Sequence, residues 1–276
     1  MTKWTGYIRL AVQKSQGRTV IKDSYHQGAY KIMRPYYPND TGEVVLYAMN
    51  PGGGYVDGDT YRADVTLEQD AELVWTTQAA TKIYKTPRTP VQQQLELRLA
   101  KGSRFAYWPD ATIAYEAARF EQNTAIHMEA GSSLVYADLF TPGWSPDGSL
   151  FRYGRIRCKL ALHLEEKLVL FDHLLLVPDA DMQGIGMFDG YTHYGSIIIV
   201  DQKVNAEFID QLHDQLQVME GARGASVGMS LLDQSVGIVI RILAANTQVI
   251  ERIVHAVYTT VREKCHGKES LFLRKY

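Results

Sequence analysis

The chain has 276 residues, 46% of them hydrophobic, and a formal net charge of −2. This composition fits a globular protein that can bury a core, and it excludes a global attraction for nucleic acid or anionic lipid. The segment MTKWTGYIRL lacks the apolar stretch of a secretion signal, the longest apolar runs (such as 197–200) are far too short to span a bilayer, and the only cysteines are Cys158 and Cys265. The expectation is therefore a cytosolic protein with no membrane segment and no disulfide framework.

Residues 5–50 read as short strands, with β-rich stretches at 19–21, 29–33 and 44–49 and breakers at Pro35, Pro38, Asn39 and Gly42 between them. A glycine stretch follows, PGGGYVDGD at 51–59, containing Gly52, Gly53, Gly54 and Gly58 with Asp57 and Asp59 around the last of them. It reads either as tight turns or as the edge of a lined passage, since TTQAATKIY at 76–84 brings small polar residues close behind it. No phosphate loop, dinucleotide fingerprint or calcium loop fits: no Lys follows Gly58, Asp57 stands where a third glycine is required, and Arg62 stands at the glycine position of a calcium loop.

From residue 64 a repeat appears. Leu67 is followed by Ala71, Leu73 and Trp75; Leu99 by Ser103, Phe105 and Tyr107; Met128 by Ser132, Leu134 and Tyr136. The starting points lie 32 and 29 residues apart, and each copy is strand, polar turn, strand. A period near 30 built from strands predicts coils stacked on one another, as in a β-solenoid, against an ordinary β-sandwich as the alternative. RCKLALHL-EEK-LVLFDHLLL at 157–176 reads as a looser fourth copy, a hairpin apolar on both faces and so expected to be buried on both sides.

After Gly195 the pattern changes. A strand at 196–200, a helix over 205–219 with Phe208, Ile209, Leu212 and Leu216 on one face, strands at 223–232 and 236–243 around 233–235, and a helix capped by Asn246 give β-α-β-β-α. The expected architecture is mainly β: a stacked-strand body over 1–195 and an α+β portion over 196–276 packed on it, with substantial helices only after residue 200. The tail SLFLRKY is apolar then basic and fits docking either on the domain or on a partner.

No nucleophile elbow or HExxH motif is present, and the eight histidines show no local metal spacing. Cys265-His266 at a helix end supplies two soft ligands without a partner motif, so an ordinary helix terminus is the preferred reading. The informative residues are carboxylates in β-segments. Asp138 shares a strand face with Leu134 and Tyr136, and Asp172 alternates with Leu168, Leu170, Leu174 and Leu176. A carboxylate on an apolar face must be paired, hydrogen-bonded or cation-bound. Either these are satisfied structural aspartates, backed by backbone N–H groups or by an arginine such as Arg119 or Arg155, or with Asp59 they form an acidic lining suited to a divalent cation.

Taken in order, PGGGYVDGD, TTQAATKIYKTP, YWPDATIAYEAARF, ADLFTPGWSPDG, YTHYGS and the terminal FLRKY resemble the urease accessory protein family UreD, called UreH in some species, over nearly the whole chain. Asp57 and Gln78 depart from that family's commonest pattern, which has Gly and Pro there. The resemblance implies a nickel-insertion chaperone with no catalytic residues and no tightly bound cofactor, nickel being cargo in transit. It implies apo-urease, UreF and, through UreF, UreG as partners, and a polar route for nickel that falls here on Asp59, Thr81, Asp138 and Asp172. Scattered carboxylates without clustered imidazole or thiolate suit a conduit, which must bind weakly and at several points, better than a store.

Overall fold

A computed structural model describes residues 4–38, 41–178, 182, 184–232 and 236–273. The strands in chain order are β1 (Gly6–Ser15), β2 (Arg18–Gly28), β3 (Lys31–Ile32), β4 (Val44–Met49), β5 (Thr60–Leu67), β6 (Glu72–Thr77), β7 (Thr81–Ile83), β8 (Val91–Leu99), β9 (Arg104–Trp108), β10 (Thr112–Ala114), β11 (Arg119–Met128), β12 (Ser133–Phe140), β13 (Arg155–Leu164), β14 (Lys167–Leu176), β15 (His193–Val200), β16 (Ala225–Leu231) and β17 (Gly237–Ala244). Helix α1 (Ala206–Arg223) separates β15 from β16, and α2 (Thr247–Thr260) follows β17 and runs into a π turn, Val261–Cys265. Both substantial helices lie after residue 200, and the body before them is built of strands, as the repeat predicts.

The strands form two facing sheets. The first has the order β14-β13-β11-β8-β5-β1-β2 and the second β16-β17-β15-β12-β9-β6-β4-β3. The chain crosses between the sheets on every coil, so β5, β8, β11 and β13 stack in parallel in one sheet while β4, β6, β9 and β12 do so in the other. The register is the sequence repeat made visible. Leu67 pairs with Leu99, Leu99 with Met128 and Met128 with Leu164, while Trp75 pairs with Tyr107 and Tyr107 with Tyr136. Like stacks on like, and Leu67, Leu97, Leu99, Ile126 and Leu134 fill the space between the sheets.

The corners repeat too. Asp70, Gly102 and Gly131 each take a left-handed conformation, and Ala71, Ser103 and Ser132 each donate a backbone hydrogen bond three residues back, to Glu68, Ala100 and Glu129. At Gly102 the left-handed φ of 72° favours glycine, and a Cβ there would also displace the Asp70 carboxylate, 2.0 Å away.

The two sheets differ on their outer faces. The first is open on that side, so β5 and β11 alternate buried and half-exposed residues. The second carries α1 and α2, so β12, β15 and β17 are buried on both faces and read as near-continuous apolar runs such as SIIIV and GIVIRILA. Each helix starts on an asparagine: Asn205 Oδ1 accepts from the Phe208 N–H at 2.9 Å and Asn246 Oδ1 from the Val249 N–H at 3.1 Å. Strands β15, β16 and β17 continue the second sheet directly from β12. Leu271 of the tail docks in the helix-side core and Phe272 stays 71% exposed; residues 274–276 and 233–235 lie outside the described residues.

The fourth copy departs from expectation. β13 stacks on β11 as a true coil, but Glu165 and Glu166, both left-handed, reverse the chain so that β14 pairs antiparallel with β13 in the same sheet. β14 is therefore an edge strand, and Leu168, Phe171 and Leu175 are 48%, 59% and 50% exposed rather than buried.

Candidate functional site

The stacking that aligns the core also aligns a polar layer. Along the first sheet Tyr61 pairs with Gln93, Gln93 with Gln122 and Gln122 with Cys158. Facing it on the second sheet are Tyr107 and Tyr136, whose rings stack at 5.0 Å. This layer lies between two apolar clusters, one built around Leu97 and Ile126 and one around Phe120, Phe140 and Ile156. Buried hydroxyls and amides are admitted there because they bond to one another. Tyr30 and Tyr55 share a hydrogen bond of 2.7 Å, Tyr55 donates to Gln93 Oε1 at 3.2 Å, and Gln122 Nε2 donates to Tyr136 Oη at 3.3 Å. Burial pushes the phenols of Tyr55, Tyr107 and Tyr136 well above their ordinary range, so the layer is lined by neutral hydroxyls.

Two cavities open on this layer. The larger, about 380 Å³, lies behind the glycine stretch and is lined by Thr81, Gly53, Gly54, Trp75, Gln93 and Tyr107 among others. The glycine stretch is a turn and a wall at once. Asn50 Oδ1 accepts from the Gly52 N–H at 2.9 Å, and Asn50 Nδ2 donates to the Gly54 carbonyl at 3.1 Å and to Tyr61 Oη at 3.2 Å. Gly54 is required by close approach, since a Cβ would lie 2.6 Å from the Tyr84 ring. Gly52 and Gly58 sit on the exposed side of the turn.

The smaller cavity, about 20 Å³, is lined by Asp138, Asp172, Gln122, Cys158, Tyr194 and Ser196 with their neighbours. Asp138 on β12 accepts from Gln122 Nε2 at 3.3 and 3.1 Å and from Tyr136 Oη at 3.5 Å. Burial pushes its carboxyl up to about 7; these hydrogen bonds oppose the rise and the charge of Asp172 adds to it. Asp172 on β14 is instead paired, accepting from Arg241 Nη2 at 2.6 Å. Neither Arg119 nor Arg155 backs these carboxylates: Arg119 bonds to Thr86 and Arg155 to Glu121.

The structure thus brings Asp138 and Asp172 to one cavity and places Thr81 on the other; Tyr107, which lines the larger cavity, stacks on Tyr136, which donates to Asp138. Asp59 stands apart from both. Its Oδ2 accepts from the Val56 N–H at 2.8 Å and from Tyr61 Oη at 3.0 Å, which ties it into the turn behind Tyr61. Asp57 holds Arg88 at 2.8 Å and two backbone N–H groups, which lower its carboxyl to about 2.

At the Cys265-His266 pair, His266 Nε2 lies 3.0 Å from Asp201 Oδ2 and 3.1 Å from Ser133 Oγ. Burial pushes the Cys265 thiol up to about 12. Among the described residues no group of three or more His, Cys, Asp or Glu side chains is placed to hold a metal ion, and no helix is long and apolar enough to cross a membrane.

Sequence reasoning missed three features. Arg241 is one, since nothing local links it to Asp172. The second is an outer ladder in which Tyr84 packs on Tyr115 at 4.9 Å and Tyr115 on Trp144 at 4.8 Å. ATKIY, ATIAY and FTPGW carry it at the same period of about 30 residues, and β7, β10 and residues 141–144 stack accordingly. The third is His127 over His163, in register on neighbouring strands with rings 5.2 Å apart.

A family model for the UreD urease accessory protein matches residues 5–275. The chain is 44% identical to the urease accessory protein UreD of Bacillus sp. (strain TB-90), over 99% of this chain and 100% of that one. It is 40% identical to the UreD protein of Lachnoclostridium phytofermentans, over the full length of both. It is 36% identical to that of Staphylococcus aureus (strain Newman), over 99% of each.

Proposed function

This chain belongs to the UreD family of urease accessory proteins, and we propose that it serves urease maturation as a non-enzymatic scaffold that also forms part of the route by which nickel reaches the enzyme. In this reading it binds apo-urease, recruits UreF and through it UreG, and works in the cytoplasm without a resident cofactor. Nickel is the cargo.

The observation that supports the route is the shared cavity of Asp138 and Asp172, with Tyr136 beside Asp138 stacked on Tyr107 of the larger cavity at Thr81. Carboxylate oxygen, hydroxyl and amide are ligands that a hydrated divalent ion exchanges readily, whereas thiolate and imidazole would hold it, and burial keeps the Cys158 thiol of this cavity well above its ordinary range and so neutral. A conduit needs such weak, successive sites. Asp138 and Asp172 supply the charge, the neutral phenols and Gln122 supply oxygen or orient the carboxylate, and Thr81 supplies a hydroxyl at the wider end. Asp59 acts from further away in this scheme, through Tyr61.

The competing reading is a static scaffold in which the same aspartates only hold the fold, and the Arg241–Asp172 pair is what favours it. Asp138→Asn and Asp172→Asn separate the two. Co-purification with UreF and apo-urease, followed by metal analysis of the urease, is expected to show intact complexes with nickel-poor urease. Intact complexes with fully loaded urease would leave the scaffold and remove the route.

A further inference from the structure

Asp138, Ser196 and Arg241 are neighbours across the second sheet. Asp138 on β12 pairs with Ser196 on β15, and Ser196 pairs with Arg241 on β17. The arginine then leaves its own sheet. Its Nη1 donates to the Ser196 hydroxyl and its Nη2 reaches across to Asp172 on the first sheet at 2.6 Å. Of the two carboxylates on the small cavity, one therefore holds a guanidinium and the other only neutral donors, Gln122 and Tyr136. The cavity between them has room for about one water-sized body.

We propose that Arg241 is a resident counter-cation that a divalent ion has to displace from Asp172, a gate that keeps the Asp138–Asp172 pair from holding metal tightly. The inference rests on the route described above and names its regulation. A guanidinium keeps its charge at every physiological pH, so this gate is not opened by deprotonation. It opens by exchange. The side chains of Arg241 and Asp172 are 34% and 26% exposed, and pairs in contact with water are held weakly. Arg241's second anchor is a neutral hydroxyl. Arg241 holds Asp172 Oδ1, and its positive charge beside the pair opposes the entry of a second cation, so the apparent metal affinity is reduced, scaling with the fraction of time that Arg241 spends away from Asp172. Occupancy of the pair by the arginine would thus supply the weak binding that a conduit needs.

The test is a Ni²⁺ titration of the full chain by calorimetry. Arg241→Met keeps the length of the side chain and removes its charge, and it is expected to tighten Ni²⁺ binding by about fivefold. Adding Asp172→Asn to it should abolish that gain, and Arg241→Lys should stay near wild type. Ser196→Ala leaves the arginine but takes one anchor, and should fall between wild type and Arg241→Met. Wild-type affinity in a folded Arg241→Met protein, or a gain that survives Asp172→Asn, would overturn the gate. If Arg241→Met does not fold, Ser196→Ala decides, and no gain there overturns it as well. The route itself is read separately, from urease loading by Asp138→Asn and Asp172→Asn, so it can stand when the gate fails.

Discussion

Arg241 of β17 and Asp172 of β14 meet at 2.6 Å across the gap between the two sheets, although 69 residues separate them in the chain. The contact closes the end of the polar layer where coil stacking stops and the antiparallel β14 edge begins. It also divides the acidic pair, because Asp172 is paired with a cation while Asp138 accepts hydrogen bonds from the neutral Gln122 and Tyr136, and burial raises its carboxyl to about 7.

That raised value fixes the sign of a pH effect. The folded state holds the Asp138 proton up to about pH 7, whereas the unfolded chain releases it near 3.8. Between these values the folded state binds more protons, so the Asp138 contribution to stability falls as pH rises, at most by about 1.4 kcal/mol per pH unit, and is flat above the window. Asp138→Asn removes this contribution. Urea unfolding at pH 5 and pH 8 should show the variant gaining on wild type at the higher pH. An unchanged difference would mean that Asp138 titrates normally.

A second ion pair ties the C-terminal helix to the opposite end of the body. Arg262 and Glu43, 219 residues apart, form two hydrogen bonds of 2.7 and 2.8 Å with side chains 1% and 4% exposed. Removing one partner leaves the other charge buried. Arg262→Met is expected to cost about 3–5 kcal/mol in denaturant unfolding, and Glu43→Gln combined with it should recover part of that loss. A cost below about 1 kcal/mol would show that Lys268, 3.6 Å from Glu43, is a sufficient partner.

The outer aromatic ladder should be stabilising in proportion to the contacts made. Tyr115 packs against a tilted ring on each side and Trp144 against one. With each aromatic pair worth about 0.5–1.5 kcal/mol beyond its buried area, Tyr115→Ala should destabilise more than Trp144→Ala, by about 1 kcal/mol. Equal effects in urea unfolding would show that the ladder is not cooperative.

Much of the fold was legible because stacking in register repeats a side chain where it repeats a position. Leu67, Leu99 and Met128 announced the coils, and the left-handed corners at Asp70, Gly102 and Gly131 follow the same intervals. The helices were legible from apolar spacing, and the second also from Asn246 as its cap. The hairpin at 157–176 forms, but its leucines on both faces predicted burial on both sides, whereas β14 is an edge strand with one apolar set facing outward. Two consecutive left-handed glutamates reverse the chain where one left-handed residue lets it cross. At the site, alternation alone brought out Asp138 and Asp172. Their common cavity and the arginine across from them depend on sheet order, which no local pattern encodes. Asp59 looked equivalent by composition, yet its oxygen is taken up by the turn and Tyr61.

The central claim is that the charge of Asp138 and Asp172 serves nickel passage rather than the fold. The most direct measurement is nickel content and activity of urease matured with the Asp138→Asn/Asp172→Asn protein, alongside recovery of its complex with UreF and apo-urease. The account predicts wild-type recovery of the complex and urease nickel well below the wild-type level, since neutralising the charged sites of a conduit removes its attraction for the ion. Wild-type nickel content and activity from an intact complex would contradict it.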